Sequence, residues 1–382
     1  MSRWTAPLLA LCLFASLHAN TTRAADGTNT SFAPVYEGPH VLPTMVLPTL
    51  PGKVEWDTRF MLDTNAVLAK YDWYMAEMTC FVDETGQVRD VLLTESIPAR
   101  NLSATIVETL RRKKWVAARG PNGPVPGQFK FRLVYTMQNT QGTLGNIGTR
   151  LRREAEAGSA NAKYLLSRLL LADVAFDRKG LDSDALLLSA ADPGGDRRAM
   201  LALAIDSEMP IEQRRQWLLK AAQAGSGTAQ VLVALDSWAE QTPEGHARAR
   251  HWLEAANRAQ EPTAGKYLAA LLVSHSSRPE DWKQARELAK AASRDWHDKR
   301  DPDTWQILAA ASALTGDFKS AVDAQSKAIS LGTQAGWPAN AFEPRLAAYQ
   351  NSQTVTDEIV MIPAVAATLS EPQREQRPSY NQ

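Results

Sequence analysis

The stretch Leu218-Leu219-Lys220-Ala221-Ala222-Gln223-Ala224-Gly225 recurs in altered form through the second half of the chain. Its counterparts are Leu187-Leu188-Ser189-Ala190-Ala191, Trp252-Leu253-Glu254-Ala255-Ala256 and Leu288-Ala289-Lys290-Ala291-Ala292. The Ala-Ala pairs end at Ala191, Ala222, Ala256 and Ala292, in steps of 31, 34 and 36 residues. The stretch from Glu154 to Ser159 opens the series about one period earlier. Periods of this size mark helix-turn-helix units that stack because none buries its apolar face alone. Alanine lets paired helices approach closely, and Gly158 and Gly225 suit a left-handed helix end. The reading is an all-α array of helical repeats over residues 150–350.

Outward toward the N-terminus the pattern changes to α+β over residues 53–140. Met75 to Val82 is rich in strand formers, Asp83-Glu84-Thr85-Gly86 is a turn, and Val88 to Thr94 continues as a second strand. Asn101 or Ser103 can cap a helix whose Leu102, Ile106, Leu110 and Trp115 face the sheet. Arg111, Arg112, Lys113 and Lys114 fall in its last turns, where cations suit the helix dipole, and read as a solvated end rather than a nucleic-acid patch. Gly120 to Pro124 stops it. Phe129, Phe131, Leu133 and Tyr135 then alternate with Lys130, Arg132 and Val134 as a third strand.

The order strand-turn-strand-helix-strand carries a family likeness. Val82 to Ser96 resembles the hairpin of TonB C-terminal domains, and Ile106 to Ala118 resembles their helix with its aromatic end. Gly123-Pro124-Val125-Pro126 and the strand from Phe129 complete the resemblance over about residues 70–137; Ala117 stands where the family usually has proline. The likeness implies a β-β-α-β fold that binds a short segment of an outer-membrane transporter by strand pairing. It places that pairing on Phe129, Lys130, Phe131, Arg132, Leu133 and Val134. The repeats resemble Sel-type and tetratricopeptide units. The clearest runs from Trp305 to Val322, with Gly316-Asp317-Phe318 at the turn between its helices. Asp357 to Ala364 resembles the box that transporters offer to TonB, which implies pairing within or between chains.

The remaining segments place these modules in a cell. Arg3, the apolar run Ala6 to Leu17 and small residues at Ala19, Ala24 and Ala25 read as a signal peptide over residues 1–25. The run is shorter than the roughly 20 residues of a membrane span. Residues 26–52 read as a flexible arm carrying Pro34, Pro39, Pro43, Pro48 and Pro51, and 351–382 as a flexible tail. Removal of the signal leaves Cys80 as the only cysteine, in a strand-like run, so a buried inert thiol is expected.

Formal net charge is zero, with 42 basic and 42 acidic side chains, so no overall field draws the chain to nucleic acid. No phosphate loop, nucleophile elbow or His-Glu-x-x-His pair occurs. His246 and His251 are five apart and point about 140° from each other on a helix. Gly142, Gly145 and Gly148 read as a flexible linker. Trp217, Trp238, Trp252, Trp282, Trp296, Trp305 and Trp337 are expected mostly in the repeat core.

The expectation is an exported periplasmic, non-enzymatic protein-binding protein with no cofactor and no metal. Its partners would be envelope proteins, among them outer-membrane transporters, met at a sheet edge and along a solenoid surface. Two alternatives stand beside it: an inner-membrane-anchored transducer, and an envelope enzyme whose site is assembled from scattered residues. The first needs a long spacer, whereas an arm of about thirty residues reaches only about 90 Å.

Overall fold

The structure is a computed structural model that describes residues 73–97, 103–112, 115–120, 122–136, 141–171, 178–206, 209–295, 297–357 and 359. The signal-peptide and arm readings, with Asn101, Leu102, Lys113, Lys114 and Trp296, lie outside the described residues. A small αβ part is followed by a long run of helices.

Strands β1 (Trp73–Val82) and β2 (Val88–Ile97) form an antiparallel hairpin. Its turn closes because the Asp83 carboxylate accepts the Thr85 amide at 2.9 Å and the Gln87 amide at 3.0 Å. Helix α1 (Ser103–Arg112) follows. A short hairpin, β3 (Ala118–Gly120) with β4 (Gly123–Val125), occupies the stretch read only as a helix stop. Strand β5 (Gly127–Thr136) returns antiparallel along β1, so the sheet order is β2-β1-β5.

Both faces of β1 are covered: every residue from Met75 to Val82 is buried. Ile106, Val107 and Leu110 of α1 are buried, and α1 packs on β2. The opposite face meets the helices. Phe81 and Leu92 join the main helical core, and Met75 and Ile97 join the core of the first helices. A bulge keeps that face continuous. Asp90 and Leu92 lie opposite Phe81 and Thr79, whereas Glu95 and Ile97 lie opposite Glu77 and Met75, so Thr94 is the extra residue. Its hydroxyl donates to the Glu77 carbonyl at 2.9 Å.

The helices are α2 (Gln141–Glu156), α3 (Ala160–Leu171), α4 (Ser183–Ala191), α5 (Arg197–Asp206), α6 (Ile211–Gln223) and α7 (Gly227–Ala239). They continue as α8 (Pro243–Arg258), α9 (Ala264–His275), α10 (Pro279–Ala292), α11 (Pro302–Leu314), α12 (Phe318–Gln334) and α13 (Glu343–Gln350). Each packs on its neighbour in sequence.

Two layers result. Helices α8 and α10 bury a single stripe each, Gly245-Ala249-Leu253-Ala256 and Asp281-Ala285-Ala289-Ala292. Such a stripe at helical spacing belongs to an outer helix with one face on the core. The recurrent Ala-Ala pair is the end of that stripe. Helices α7, α9 and α11 are buried almost all round, because the outer helices cover one side and further helices and the sheet cover the other.

Successive repeats are also tied by charge. Arg250 grips Asp281 at 2.9 and 3.0 Å, and Arg286 pairs with Asp317. Both arginines and both aspartates are 36 residues apart, the step from Ala256 to Ala292. Gly158 and Gly225 adopt φ of +95° and +82°, as the left-handed helix ends require. At the turn between α11 and α12, the Asp317 carboxylate caps α12 by accepting the Ser320 amide at 3.0 Å.

Three readings are corrected. Gly142, Gly145 and Gly148 lie inside α2, not in a linker. Ile147, Leu151 and Ala155 recur every fourth residue and pack on the first-helix core, which offsets the roughly 1 kcal/mol that each glycine costs. The first tail residues are docked: Ile359 is buried in the main core and Asp357 pairs with Arg345 at 2.5 Å. Glu358 and residues 360–382, which hold most of the transporter-like box and the rest of the tail, lie outside the described residues. Arg111 is the third, taken up below.

Trp238 and Trp337 are buried, and Trp217, Trp252 and Trp305 are half-buried against the core. Arg214 shows how backbone carbonyls help to hold an inner cation. It is 1% exposed and donates to the carbonyls of Ala204 at 2.8 Å and Ile205 at 3.2 Å, at the negative end of α5. Arg214→Leu strips those carbonyls of donors. The expected loss is about 2 kcal/mol of unfolding free energy by urea titration, and an unchanged midpoint would show that the carbonyls find other donors.

Candidate functional site

Two features distinguish the seam between the sheet and the helices: a buried charge network, and an outer strand paired on one side.

Asp90 of β2 is the network's hub. Its Oδ2 accepts Lys266 Nζ of α9 at 2.8 Å and the Tyr267 hydroxyl; its Oδ1 accepts the Val91 amide at 2.8 Å and Arg111 of α1 at 3.2 Å. Lys266 also donates to Asp301 Oδ2 at 2.9 Å. Arg111 donates to the His297 carbonyl and lies 3.5 Å from Asp301 and 3.6 Å from Asp298. His297 Nδ1 donates to Asp298 at 2.6 Å. The side chains of Asp298 and Asp301 are wholly buried. Asp301 is positioned by local chemistry: it N-caps α11 before Pro302, its Oδ1 accepting the Asp303 amide at 3.0 Å.

A second limb starts where β2 bulges. Phe81 pairs with Asp90 and Val82 with Val88, which leaves Arg89 out of the ladder and free to reach α11. Arg89 meets both oxygens of Asp303 at 3.2 Å and stacks over Trp337 at 4.3 Å. Gln306 donates to Asp303 at 2.9 Å and accepts from Arg345 at 2.8 Å. Farther along the sheet, Glu95 receives the Tyr164 hydroxyl and lies 3.6 Å from the fully buried Arg168 of α3.

Charge compensation decides the protonation states. Burial opposes the ionised Asp90, yet Lys266 and then Arg111 outweigh it and hold the carboxyl below the usual range. Burial likewise opposes ionised Asp298, and His297 and Lys266 outweigh it. Burial would strip Lys266 of its proton, but Asp301 and Asp90 hold it well above the ordinary lysine value. Lys266 is therefore a structural cation, not a nucleophile. Asp303 differs: burial pushes it up to about 6, against Arg89 and with help from Asp301. The Cys80 thiol is buried and driven upward by burial and by Asp90, which makes it inert.

Arg111 thus overturns its reading as part of a solvated helix end. One residue beyond the buried Leu110, it turns inward and is 7% exposed, while Arg112 stays at the surface. A cleft beside the network is lined by Glu108, Arg112, His297, Arg300 and Trp337, and Glu108 pairs with both Arg112 and Arg300.

The six residues singled out for strand pairing lie together in β5. Their register is Phe129 opposite Cys80, Lys130 opposite Thr79, Phe131 opposite Met78, Arg132 opposite Glu77, Leu133 opposite Ala76 and Val134 opposite Met75. Among the described strands β5 pairs only with β1. Every second residue of β5 therefore turns its backbone N–H and C=O away from the sheet, an arrangement that accepts another strand.

No family model matches this chain, and neither a curated protein nor a solved structure is found to be similar to it. Among the described residues no helix is long and apolar enough to cross a membrane.

Proposed function

We propose that the chain is a periplasmic, non-enzymatic protein-binding protein whose αβ part, TonB C-terminal-like in strand order, captures an extended segment of an envelope partner along β5. The observation that carries this reading is the sheet order β2-β1-β5, with β5 paired on one side among the described strands. Main-chain hydrogen bonds to such an edge give affinity. A transporter of the outer membrane is the partner class that the family likeness implies.

The helices take a different role from the one expected of a solenoid. The face formed by α3, α9 and the start of α11 is occupied by the chain's own sheet through Glu95, Asp90 and Arg89. Its charged contacts fix orientation more than they add stability. The helical array thus holds the sheet at one angle, with β5 on the outside of the sheet order.

Photo-crosslinking residues introduced singly at positions 130 and 132 test this, with one at the exposed Leu219 of α6 as control. The β5 positions are expected to capture one envelope protein from cell extracts, and position 219 is not. Capture at 219 alone would overturn the reading.

A further inference from the structure

Two guanidinium groups converge on one carboxylate at the mouth of the cleft beside the inner network. Glu108 Oε1 takes Arg112 of the same helix, α1, at 2.5 Å, and the same oxygen takes Arg300 from the connection between α10 and α11. Neither arginine makes another ion pair among the described residues, so the trio carries one surplus positive charge. Arg111 also lines the cleft, but its charge is matched by Asp90, Asp298 and Asp301. A guanidinium fork is shaped to hold both oxygens of a carboxylate. Here each fork holds a shared oxygen through one nitrogen. Both side chains are half exposed, so a solute reaches their other N–H groups without opening the core.

Behind the mouth the lining is apolar. Val88 at the start of β2, Pro302 in the first turn of α11, Leu331 near the end of α12 and Trp337 just beyond it are all buried. Arg89 stacks over the Trp337 ring at 4.3 Å, and the buried Trp337 indole N–H has no acceptor in the protein. Buried indole N–H groups usually find one. The cleft therefore combines a cationic rim, an apolar floor and a donor that lacks its acceptor.

We propose that this cleft binds an organic carboxylate carried on an apolar body, for which Glu108 competes as an internal carboxylate. The ligand's carboxylate supplies the second negative charge between Arg112 and Arg300. Its apolar body lies on Val88, Pro302 and Leu331, and a further oxygen on it gives the Trp337 N–H an acceptor. A free carboxylic acid and the C-terminus of a peptide share this chemistry. Arg112 belongs to the αβ part and Arg300 to the helical array, so the ligand ties the two together. The cleft adjoins β2, at the other end of the sheet order from β5, so its ligand leaves the β5 edge open.

Calorimetric titration of the full chain at low salt tests this with octanoate, with N-acetyl-alanyl-leucine and with the amide of that dipeptide. One or both acids are expected to bind once per chain, and the tighter of the two names the source; the amide should not bind. Arg112→Gln and Arg300→Gln should each weaken binding about tenfold, the effect of losing one charge-assisted contact. Glu108→Gln removes the competitor and should tighten binding severalfold. Arg248→Gln, in the exposed pair with Glu240, should change nothing. Failure of both acids to bind the Glu108→Gln chain would overturn the proposal. So would affinity that survives Arg300→Gln, a loss as large in Arg248→Gln, or inorganic phosphate binding as tightly as the acids.

Discussion

Lys266→Met is expected to lower the free energy of unfolding by about 3–5 kcal/mol, the usual cost of removing one member of a buried ion pair. The reason is local and specific. Lys266 is 2% exposed and donates to both Asp90 and Asp301, at 2.8 and 2.9 Å. Methionine fills the volume, so cavity formation contributes little, and the loss reports uncompensated charge. Arg111 lies 3.2 Å from Asp90 and 3.5 Å from Asp301 and cannot neutralise both together with Asp298. Adding Asp301→Asn to Lys266→Met removes one of the orphaned carboxylates. The double variant is therefore expected to recover part of the loss, giving a coupling energy on the order of 1–3 kcal/mol in a double-mutant cycle. Urea unfolding followed by tryptophan fluorescence measures both. A single-variant loss under about 1 kcal/mol, in the range of ordinary substitutions, would mean that water replaces the ammonium and that the network is open to solvent.

That network is the part of the molecule least legible in the sequence, for a physical reason. Its members are brought together by docking: Asp90 and Lys266 are 176 residues apart, Arg111 and Asp301 190. Nothing periodic links them. The segment from Asp295 to Asp303 did hold a signal, since four aspartates and a histidine crowd into nine residues around the start of α11. Local features read well because their causes are local. The β1–β2 hairpin follows from the Asp83–Gly86 turn, and the outer helices from alanine at helical spacing. Gly142, Gly145 and Gly148 misled because glycine content was weighed without the Ile147-Leu151-Ala155 stripe, whose value appears only against the first-helix core. Arg111 misled because a run of cations reads as surface, although Arg111, on the face of Val107 and Leu110, turns inward. The β5 edge was legible as a strand from its alternation, but its outer position depends on the sheet order.

Gly86→Ala is expected to cost about 3 kcal/mol or more, because two penalties fall on one methyl group. Gly86 has φ of +86°, and alanine there pays roughly 1–2 kcal/mol for left-handed backbone. The added Cβ would also stand 2.1 Å from the Trp115 carbonyl oxygen, backbone that cannot rotate aside. Gly316 supplies the matched control: its φ is +83°, and a Cβ there meets nothing within 4 Å. Gly316→Ala should therefore show the backbone penalty alone, and the difference between the two variants measures the contact. The consequence reaches beyond the turn. Trp115 donates its amide to the Gly86 carbonyl at 2.9 Å, which pins the chain just after α1 to the β1–β2 hairpin. Arg111 sits in the last turn of that helix and enters the network from there. Displacing Trp115 shifts Arg111 away from Asp90 and Asp301, so Gly86→Ala should also speed amide exchange in α9, across the seam from the substituted residue. If Gly86→Ala costs no more than Gly316→Ala and leaves α9 protected, the turn and the network are independent, and α1 is held by its apolar face alone.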